Sequence, residues 1–133
     1  MIGKFLVAVS IVVLREGKVL IGRRSMEKDA APGYWEYPSG RLEEEESPET
    51  AVRREGLEEL GVEVRPLRPI HSYFFWRLDV PSILIAYLAE IDGEPVLSAE
   101  HDEFKWVDVT EVDKYFKIGG LKEITEKLIQ DLR

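Results

Sequence analysis

The chain has 133 residues and a formal net charge of -8 at pH 7, with 33% charged and 44% hydrophobic residues. This composition is typical of a soluble globular protein, and we predict a single domain over residues 1–133. The lack of cysteine excludes a disulfide framework, a thiolate zinc site and a cysteine nucleophile, and it is compatible with the cytoplasmic location that we expect. The acidic charge argues against a nucleic-acid partner, because such binding needs a basic patch.

Six apolar runs, rich in β-branched and aromatic residues and bounded by turn residues, predict six strands. They are residues 5–14, 19–24, 34–37, 62–76, 83–91 and 104–107. The first and the fifth run are apolar on both faces, which is typical of strands in the centre of a sheet. The first run is also too short to cross a membrane, and we expect no membrane partner.

Three helices are predicted, over residues 47–60, 110–115 and 121–132. The first has Ser47 at its N-cap, Pro48 at its first helical position and Gly61 after its last turn. The second has Thr110 as its N-cap, and the third carries one apolar stripe. Strands that alternate with helices predict a mixed sheet sandwiched between helices.

Three glutamates of the first helix share one face. Glu55, Glu58 and Glu59 are spaced at i, i+3 and i+4. Like charges at this spacing repel each other by roughly 0.2–0.5 kcal/mol per pair, so water alone does not favour the cluster. A hard cation such as Mg2+ does favour it, because it binds carboxylates together with waters and substrate phosphates. The alternative is a solvated acidic face.

Residues 40–62, GRLEEEESPETAVRREGLEELGV, resemble the Nudix box, G-x5-E-x7-R-E-U-x-E-E-x-G-U, where U is aliphatic. The matching positions are Gly40, Glu46, Arg54, Glu55, Glu58, Glu59, Gly61 and Val62. Gly56 departs from the pattern, and we attribute it to close packing of the helix against the sheet. The resemblance implies an α/β fold of the Nudix type, an α/β/α sandwich with a mixed β-sheet, over nearly the whole chain.

The resemblance also implies a divalent metal ion, Mg2+ or alternatively Mn2+. In the family the glutamates of the R-E-U-x-E-E segment bind the metal, so Glu55, Glu58 and Glu59 are the expected ligands. A main-chain carbonyl at the position of Ser39 often helps to hold the metal. That position is usually Gly, and Ser keeps the contact if its dihedral angles permit.

Arg54 and Glu46 occupy the positions of a structural pair in the family. The box arginine pairs with the box glutamate and steadies the loop against the catalytic helix. The alternative is a plain surface ion pair, worth under about 1 kcal/mol. Gly40 and Gly61 are expected at the two corners of this loop-helix-loop segment.

Water is the expected nucleophile, and a nearby carboxylate is expected to accept its proton. Glu58 and Glu59 are the first candidates for this general base. Glu100 is a further candidate, because it lies six residues before Trp106 in a loop that resembles one giving some Nudix enzymes an extra ligand or base. A solvated loop charge is an equal alternative for Glu100, and we interpret His101 as a bystander.

Two arginines and one aromatic residue are the expected substrate contacts. Arg23 and Arg24 point in opposite directions along a strand, so one can face phosphates while the other meets solvent or an acid. Arg24 is favoured for the phosphates. Trp76 is expected to stack on a base, although aromatic residues on strands are usually core residues.

The resemblance implies a hydrolase that cleaves the pyrophosphate bond of a nucleoside diphosphate linked to another moiety. A (deoxy)nucleoside triphosphate is the first choice of substrate, and ADP-ribose or another nucleotide sugar comes next. The alternative is a catalytically silent, nucleotide- or metal-binding regulatory module of the same fold. We expect a small-molecule nucleotide as the ligand and either a monomer or a homodimer.

Overall fold

The computed structural model describes residues 3–133. Over this range the chain forms seven strands, two α-helices and one 3-10 helix. The strands are β1 (Leu6–Arg15), β2 (Lys18–Arg24), β3 (Trp35–Glu36), β4 (Ser39–Arg41), β5 (Val64–Arg77), β6 (Val80–Ile91) and β7 (His101–Asp108). The helices are α1 (Pro48–Leu60), the 3-10 helix Val112–Tyr115 and α2 (Leu121–Asp131). No helix among these residues is both long enough and apolar enough to cross a membrane.

Strand β1 is the centre of a mixed sheet, as its two-sided apolar sequence predicts. It runs parallel to β6 from Leu6, opposite Ser82, to Val13, opposite Ala89. On its other edge, its first half pairs with β4 and its last residues pair with β2, both antiparallel. Strand β6 pairs antiparallel with β5. The predicted mixed sheet is therefore confirmed.

Each face of this sheet is covered by one α-helix, because successive β1 side chains point to opposite faces. One buried cluster joins β1 to α1 and contains Val9, Ile11, Val13, Ala51, Val52 and Leu60. The other joins β1 to α2 and contains Ala8, Val12, Leu121, Ile124 and Leu128. The layers are those of the α/β/α sandwich that the sequence predicts.

Strand β2 carries a second arm of the sheet. Strand β7 pairs with its whole length, and β3 pairs with its last part on the opposite edge. Gly22 lies opposite Glu36 of β3, and Arg24 lies opposite His101 of β7. This arm therefore brings residues of three segments that are distant in sequence together at one end of the sheet.

Helix α1 begins and ends where the sequence predicts. The Ser47 Oγ accepts a hydrogen bond from the Thr50 N–H at 3.2 Å, and Pro48 follows at the first helical position. Gly61 ends the helix in the left-handed region, with φ 68°, and its N–H donates to the Leu57 carbonyl. The expected Ser-Pro start and Gly end are confirmed, so the orientation of α1 is fixed at both ends.

Two sheet boundaries differ from the prediction. Pro38, Ser39 and Gly40 were expected to end a strand, but residues 39–41 form β4 by pairing with β1. Strand β7 begins at residue 101, three positions earlier than expected, because it follows β2 to its end. In both cases the backbone partner is a strand that is distant in sequence, so local propensity does not reveal the pairing.

The predicted helix over residues 110–115 is a short 3-10 helix that begins at Val112, and Thr110 does not cap it. The N–H and the hydroxyl of Thr110 instead donate to Asp108 Oδ1, at 2.9 and 2.7 Å. Thr110 is thus tied to the end of β7, and the helix starts two residues later.

Gly56 lies where α1 touches β5. A Cβ atom at Gly56 would overlap the buried side chain of Val64, which confirms the expected close packing. Glycine in a helix costs about 1 kcal/mol relative to alanine, and the close approach of the helix to the sheet offsets this cost.

We predict that Gly56→Ala destabilises the protein by about 1–3 kcal/mol, because the added methyl group forces α1 away from β5. Urea unfolding checks this, with Gly119→Ala as the control, since an added Cβ at Gly119 meets no other described residue within 4 Å. Equal or higher stability of Gly56→Ala would contradict the packing account.

Candidate active site

A cleft of about 570 Å³ lies beside α1, where β4, β5 and the loop after β2 meet. Its charged residues are the carboxylates Glu36, Glu55, Glu59 and Glu100 and the cations Arg24, Lys28, Arg41 and Arg77. Phe75 and Trp76 contribute an aromatic wall. The volume lies within the usual range of small-molecule sites, and the mixture of charges suits a ligand that is anionic and metal-bound.

A larger surface cavity, of about 720 Å³, lies beside Tyr73 and the start of α2. Among the described residues, its lining contains Glu123 as its single carboxylate and includes nothing from residues 40–62. Acid-base or metal chemistry needs several convergent polar groups. We therefore place the candidate active site in the cleft beside α1.

Glu59 is the most unusual carboxylate of the cleft. It is only 3% exposed, and its Oε2 has no hydrogen-bond partner in residues 3–133. Burial raises the pKa of Glu59 well above its usual range, and the neighbouring Glu55, Glu36 and Glu100 raise it further. A carboxylate held out of water beside other carboxylates requires either a proton or a cation.

Glu55 reaches the cleft because residue 40 has no side chain. A Cβ atom at Gly40 would overlap the carboxyl end of Glu55. Arg54 Nη1 donates to Glu55 Oε1 at 2.8 Å. The glycine of β4 and the arginine of α1 thus together fix the position of this carboxylate.

Arg54 and Glu46 form the predicted pair between loop and helix. Arg54 Nε donates to Glu46 Oε2 and Nη2 donates to Glu46 Oε1, both at 2.8 Å. The same Nη2 also donates to the Arg41 carbonyl, which ties the helix to β4. Arg54 and the Glu43 N–H together lower the pKa of Glu46 to about 2. This bidentate pair is half-buried, with side chains 23% and 9% exposed, and is more than a surface contact.

Glu58 and Glu100 take different positions from Glu59. The Glu58 side chain is 59% exposed, lies 3.5 Å from Arg54 Nη1 and does not line the cleft. Glu100 does line the cleft, with a side chain 46% exposed and an ion pair to Lys28. Across residues 3–133, no three His, Asp or Glu side chains converge in a ready-made metal site.

The two adjacent arginines diverge as their alternation along β2 predicts. Arg24 lines the cleft, where Nη1 donates to Glu36 at 3.1 Å and Nε donates to the Ala30 carbonyl at 2.9 Å. Arg23 Nε donates to Asp102 Oδ1 at 2.7 Å, outside the cleft. Arg23 therefore lies outside the cleft because β2 turns it away, and its contact with substrate stays a prediction that this geometry does not favour.

The remaining predicted contacts lie in or beside the cleft. Trp76 is 64% exposed on its wall, with its ring edge-on to Phe74. Ser39 lies in β4 opposite Ser10 and also lines the cleft. Gly61 lies at the far end of α1, where its role is to end the helix.

His101, which the sequence led us to interpret as a bystander, lies buried against the cleft carboxylate Glu36. His101 is 1% exposed, and its Nε2 lies 2.9 Å from Glu36 Oε2. Sequence reasoning also missed Glu36, which no pattern singled out. Gly22 was the available signal, because a glycine inside a strand often marks the close approach of another group. A Cβ atom at Gly22 would meet the His101 ring.

Comparison with known proteins places this chain in a family. The family model for the NUDIX domain matches residues 4–132. An octanoyltransferase from Myxococcus xanthus is 35% identical over 130 residues, which cover 90% of this chain and 35% of that protein. An isopentenyl-diphosphate Delta-isomerase from Salmonella paratyphi B is 30% identical over 105 residues, 69% of this chain and 58% of that protein. The chain thus spans less than two thirds of the length of either relative.

Solved structures share the fold over nearly the whole chain. The MutT protein from Methanosarcina mazei Go1 superimposes with a TM-score of 0.85 at 23% identity, covering 97% of this chain and 96% of that one. The NUDIX domain of Shewanella oneidensis NrtR, complexed with ADP ribose, gives 0.77 at 20% identity and covers 99% and 91%. At these identities the likeness establishes the α/β/α architecture.

We predict that the stabilising effect of Glu46 disappears in acid. The folded pKa of about 2 lies below the ordinary value of 4.5, so the stabilisation is complete above about pH 4.5 and is lost as the pH falls toward 2. The melting temperature of Glu46→Gln should therefore lie below that of the wild type at neutral pH, and the difference should shrink through this range.

Thermal melting of both proteins in EDTA, across this pH range, checks the prediction. The exposed Glu44→Gln is the control, and its melting temperature should follow that of the wild type throughout. A Glu46→Gln difference that is independent of pH would contradict the ion-pair account.

Proposed function

Because this chain belongs to the Nudix family, we propose that it is a divalent-metal-dependent hydrolase of nucleotide pyrophosphate bonds. The substrate would be a nucleoside diphosphate linked to another moiety. The observation that carries this proposal is the buried Glu59, which lies near Glu55 in a cleft that also contains several cations. Burying a carboxylate without a partner is costly, and a bound cation removes that cost.

The residues of the cleft fit a divalent ion. Glu59 has an unpartnered, buried Oε2 within the described chain, and the absence of a side chain at Gly40 leaves room for Glu55. Carboxylate and carbonyl oxygens are the ligands that Mg2+ and Mn2+ prefer. We propose that Glu55, Glu59 and the Ser39 carbonyl hold the ion, whereas the expected ligand Glu58 points out of the cleft. When bound, the ion offsets the charge that develops on the leaving phosphate and activates water.

The cations of the cleft are suited to the phosphates. Arg24, Lys28, Arg41 and Arg77 line it in a chain whose net charge is -8. They make the electrostatic potential in the cleft more positive. An acidic protein needs such a local change in order to bind an anionic substrate. Arg24 is held by Glu36 and by the Ala30 carbonyl, so its guanidinium is already oriented.

Glu100 is the proton acceptor that the geometry favours. It lines the cleft, whereas Glu58 points out of it toward Arg54. Its side chain is partly exposed and pairs with Lys28, so it is accessible to a water in the cleft from which it can accept a proton. Glu59 is buried too deeply to exchange a proton with a water outside the ion's shell.

The shape of the cleft supports a nucleotide. A smaller cavity of about 210 Å³ adjoins it and shares Glu36, Ser39 and Phe75 with its lining. Tyr73 and Leu84 help to make this smaller cavity mostly apolar. A charged cleft continued by an aromatic cavity fits a phosphate chain joined to a base. We propose a (deoxy)nucleoside triphosphate first and ADP-ribose or another nucleotide sugar next.

The test is product release with Mg2+ across nucleoside triphosphates, ADP-ribose, other nucleotide sugars and dinucleoside polyphosphates. We expect turnover on at least one class, and a loss of at least about 10–100-fold in Glu59→Gln, the loss usual even for groups one layer further from a metal. The turnover of Glu58→Gln measures how much the exposed Glu58 carboxylate contributes to the reaction. The exposed Glu44→Gln is the control and should retain wild-type turnover.

Two outcomes would overturn the proposal. Turnover that survives Glu59→Gln would overturn the proposed metal site, because Glu59 would then not be needed for the reaction. Nucleotide binding without turnover on any member of the panel would favour the catalytically silent regulatory module.

A further inference from the structure

The imidazole of His101 lies behind Glu59, fully enclosed by the protein. One ring nitrogen, Nε2, bonds to Glu36 Oε2 at 2.9 Å. The other, Nδ1, is buried without a hydrogen-bond partner in the part of the chain that the structure describes. It lies 3.9 Å from Glu59 Oε1. Two buried polar groups, each with an unsatisfied atom, thus lie opposite each other.

Glu36 fixes the ring and is not itself free for other ligands. Its Oε1 accepts from Arg24 Nη1 at 3.1 Å, and its Oε2 bonds to His101. Arg24 is in turn anchored on the Ala30 carbonyl at 2.9 Å. Both oxygens of Glu36 therefore have partners, and the carboxylate acts as a rigid support for the imidazole.

The His101 ring is packed on two sides, against β2 and against a residue of β7. Gly22 makes room for the ring against β2, because a Cβ atom there would overlap it. On β7 the Phe104 ring packs against the imidazole, with centroids 5.4 Å apart. A histidine that only filled space would not need its Nε2 bonded to a buried carboxylate and its Nδ1 aimed at a second one.

We propose that His101 is a positioning residue for Glu59, with Glu36 as its support. Approach by about 1 Å would let Nδ1, when it carries a proton, donate to Glu59 Oε1 at an ordinary hydrogen-bond length while Nε2–H donates to Glu36. The contact would hold the Glu59 carboxylate in the orientation in which it binds a divalent ion, as groups behind metal ligands commonly do. This inference rests on the proposed function, because it takes Glu59 as a ligand.

The test measures Mn2+ affinity by isothermal titration without substrate, so it does not depend on turnover. His101→Gln places an amide near the Nε2 position and keeps the bond to Glu36, but it loses the group that faces Glu59. His101→Asn places its amide near Nδ1 instead. We expect His101→Gln to weaken Mn2+ binding by about 10–100-fold and His101→Asn to restore part of the loss.

Glu36→Gln provides a second variant that does not depend on how well the histidine variants fold, and it should weaken Mn2+ binding in the same direction. His71→Gln is the matched control, because His71 is the other histidine of the chain and lies outside the cleft lining. It should bind Mn2+ like the wild type. Melting temperatures of the metal-free variants show whether a loss of affinity accompanies unfolding.

Wild-type affinity in His101→Gln would overturn the inference, and so would equal losses in the Gln and Asn variants, which would indicate packing alone. Unchanged affinity in Glu59→Gln would also overturn it, because Glu59 would then not be a ligand. Mn2+ binding that depends on both residues, without hydrolysis of any nucleotide, would support this inference and contradict the proposed function.

Discussion

The burial of Glu59 is the constraint on which the rest of the site depends. Its neighbour Leu60 and, about two turns earlier, Val52 and Ala51 pack α1 onto the sheet. This packing carries Glu59 into the interior, where its Oε2 finds no hydrogen-bond partner among residues 3–133. A buried, unpartnered carboxylate destabilises the folded chain. Its presence is explained if a cation occupies the adjoining cleft.

The surrounding residues limit how much these carboxylates repel each other. Arg54 contacts both Glu46 and Glu55, so it ties the loop to the helix and offsets the charge of one cleft carboxylate. Arg24 does the same for Glu36 from the opposite wall. These arginines position the acids rather than neutralise the cleft. Glu59 Oε2, which has no partner among residues 3–133, remains available to a metal, whereas both oxygens of Glu36 are engaged.

Local sequence predicted the parts of the site that lie on one segment. The Ser47 cap, the Gly61 end and the pairing of Arg54 with Glu46 all lie within about 20 consecutive residues, where spacing determines geometry. The partnership of Glu36 with His101 was missed because it joins strands 65 positions apart. It depends on the register of β7 against β2. Burial rather than residue type distinguishes His101 from a solvated histidine.

The most direct test of the central claim is the melting temperature of the wild type and of Glu59→Gln, each in EDTA and in excess Mg2+. If Glu59 is retained for a cation, the variant melts above the wild type in EDTA, because the variant no longer pays the free-energy cost of burying and protonating this carboxyl group at neutral pH. Mg2+ then raises the melting temperature of the wild type and leaves the variant unchanged, since binding stabilises only a protein that contains the site. A variant that is less stable in EDTA and responds equally to Mg2+ would contradict the account.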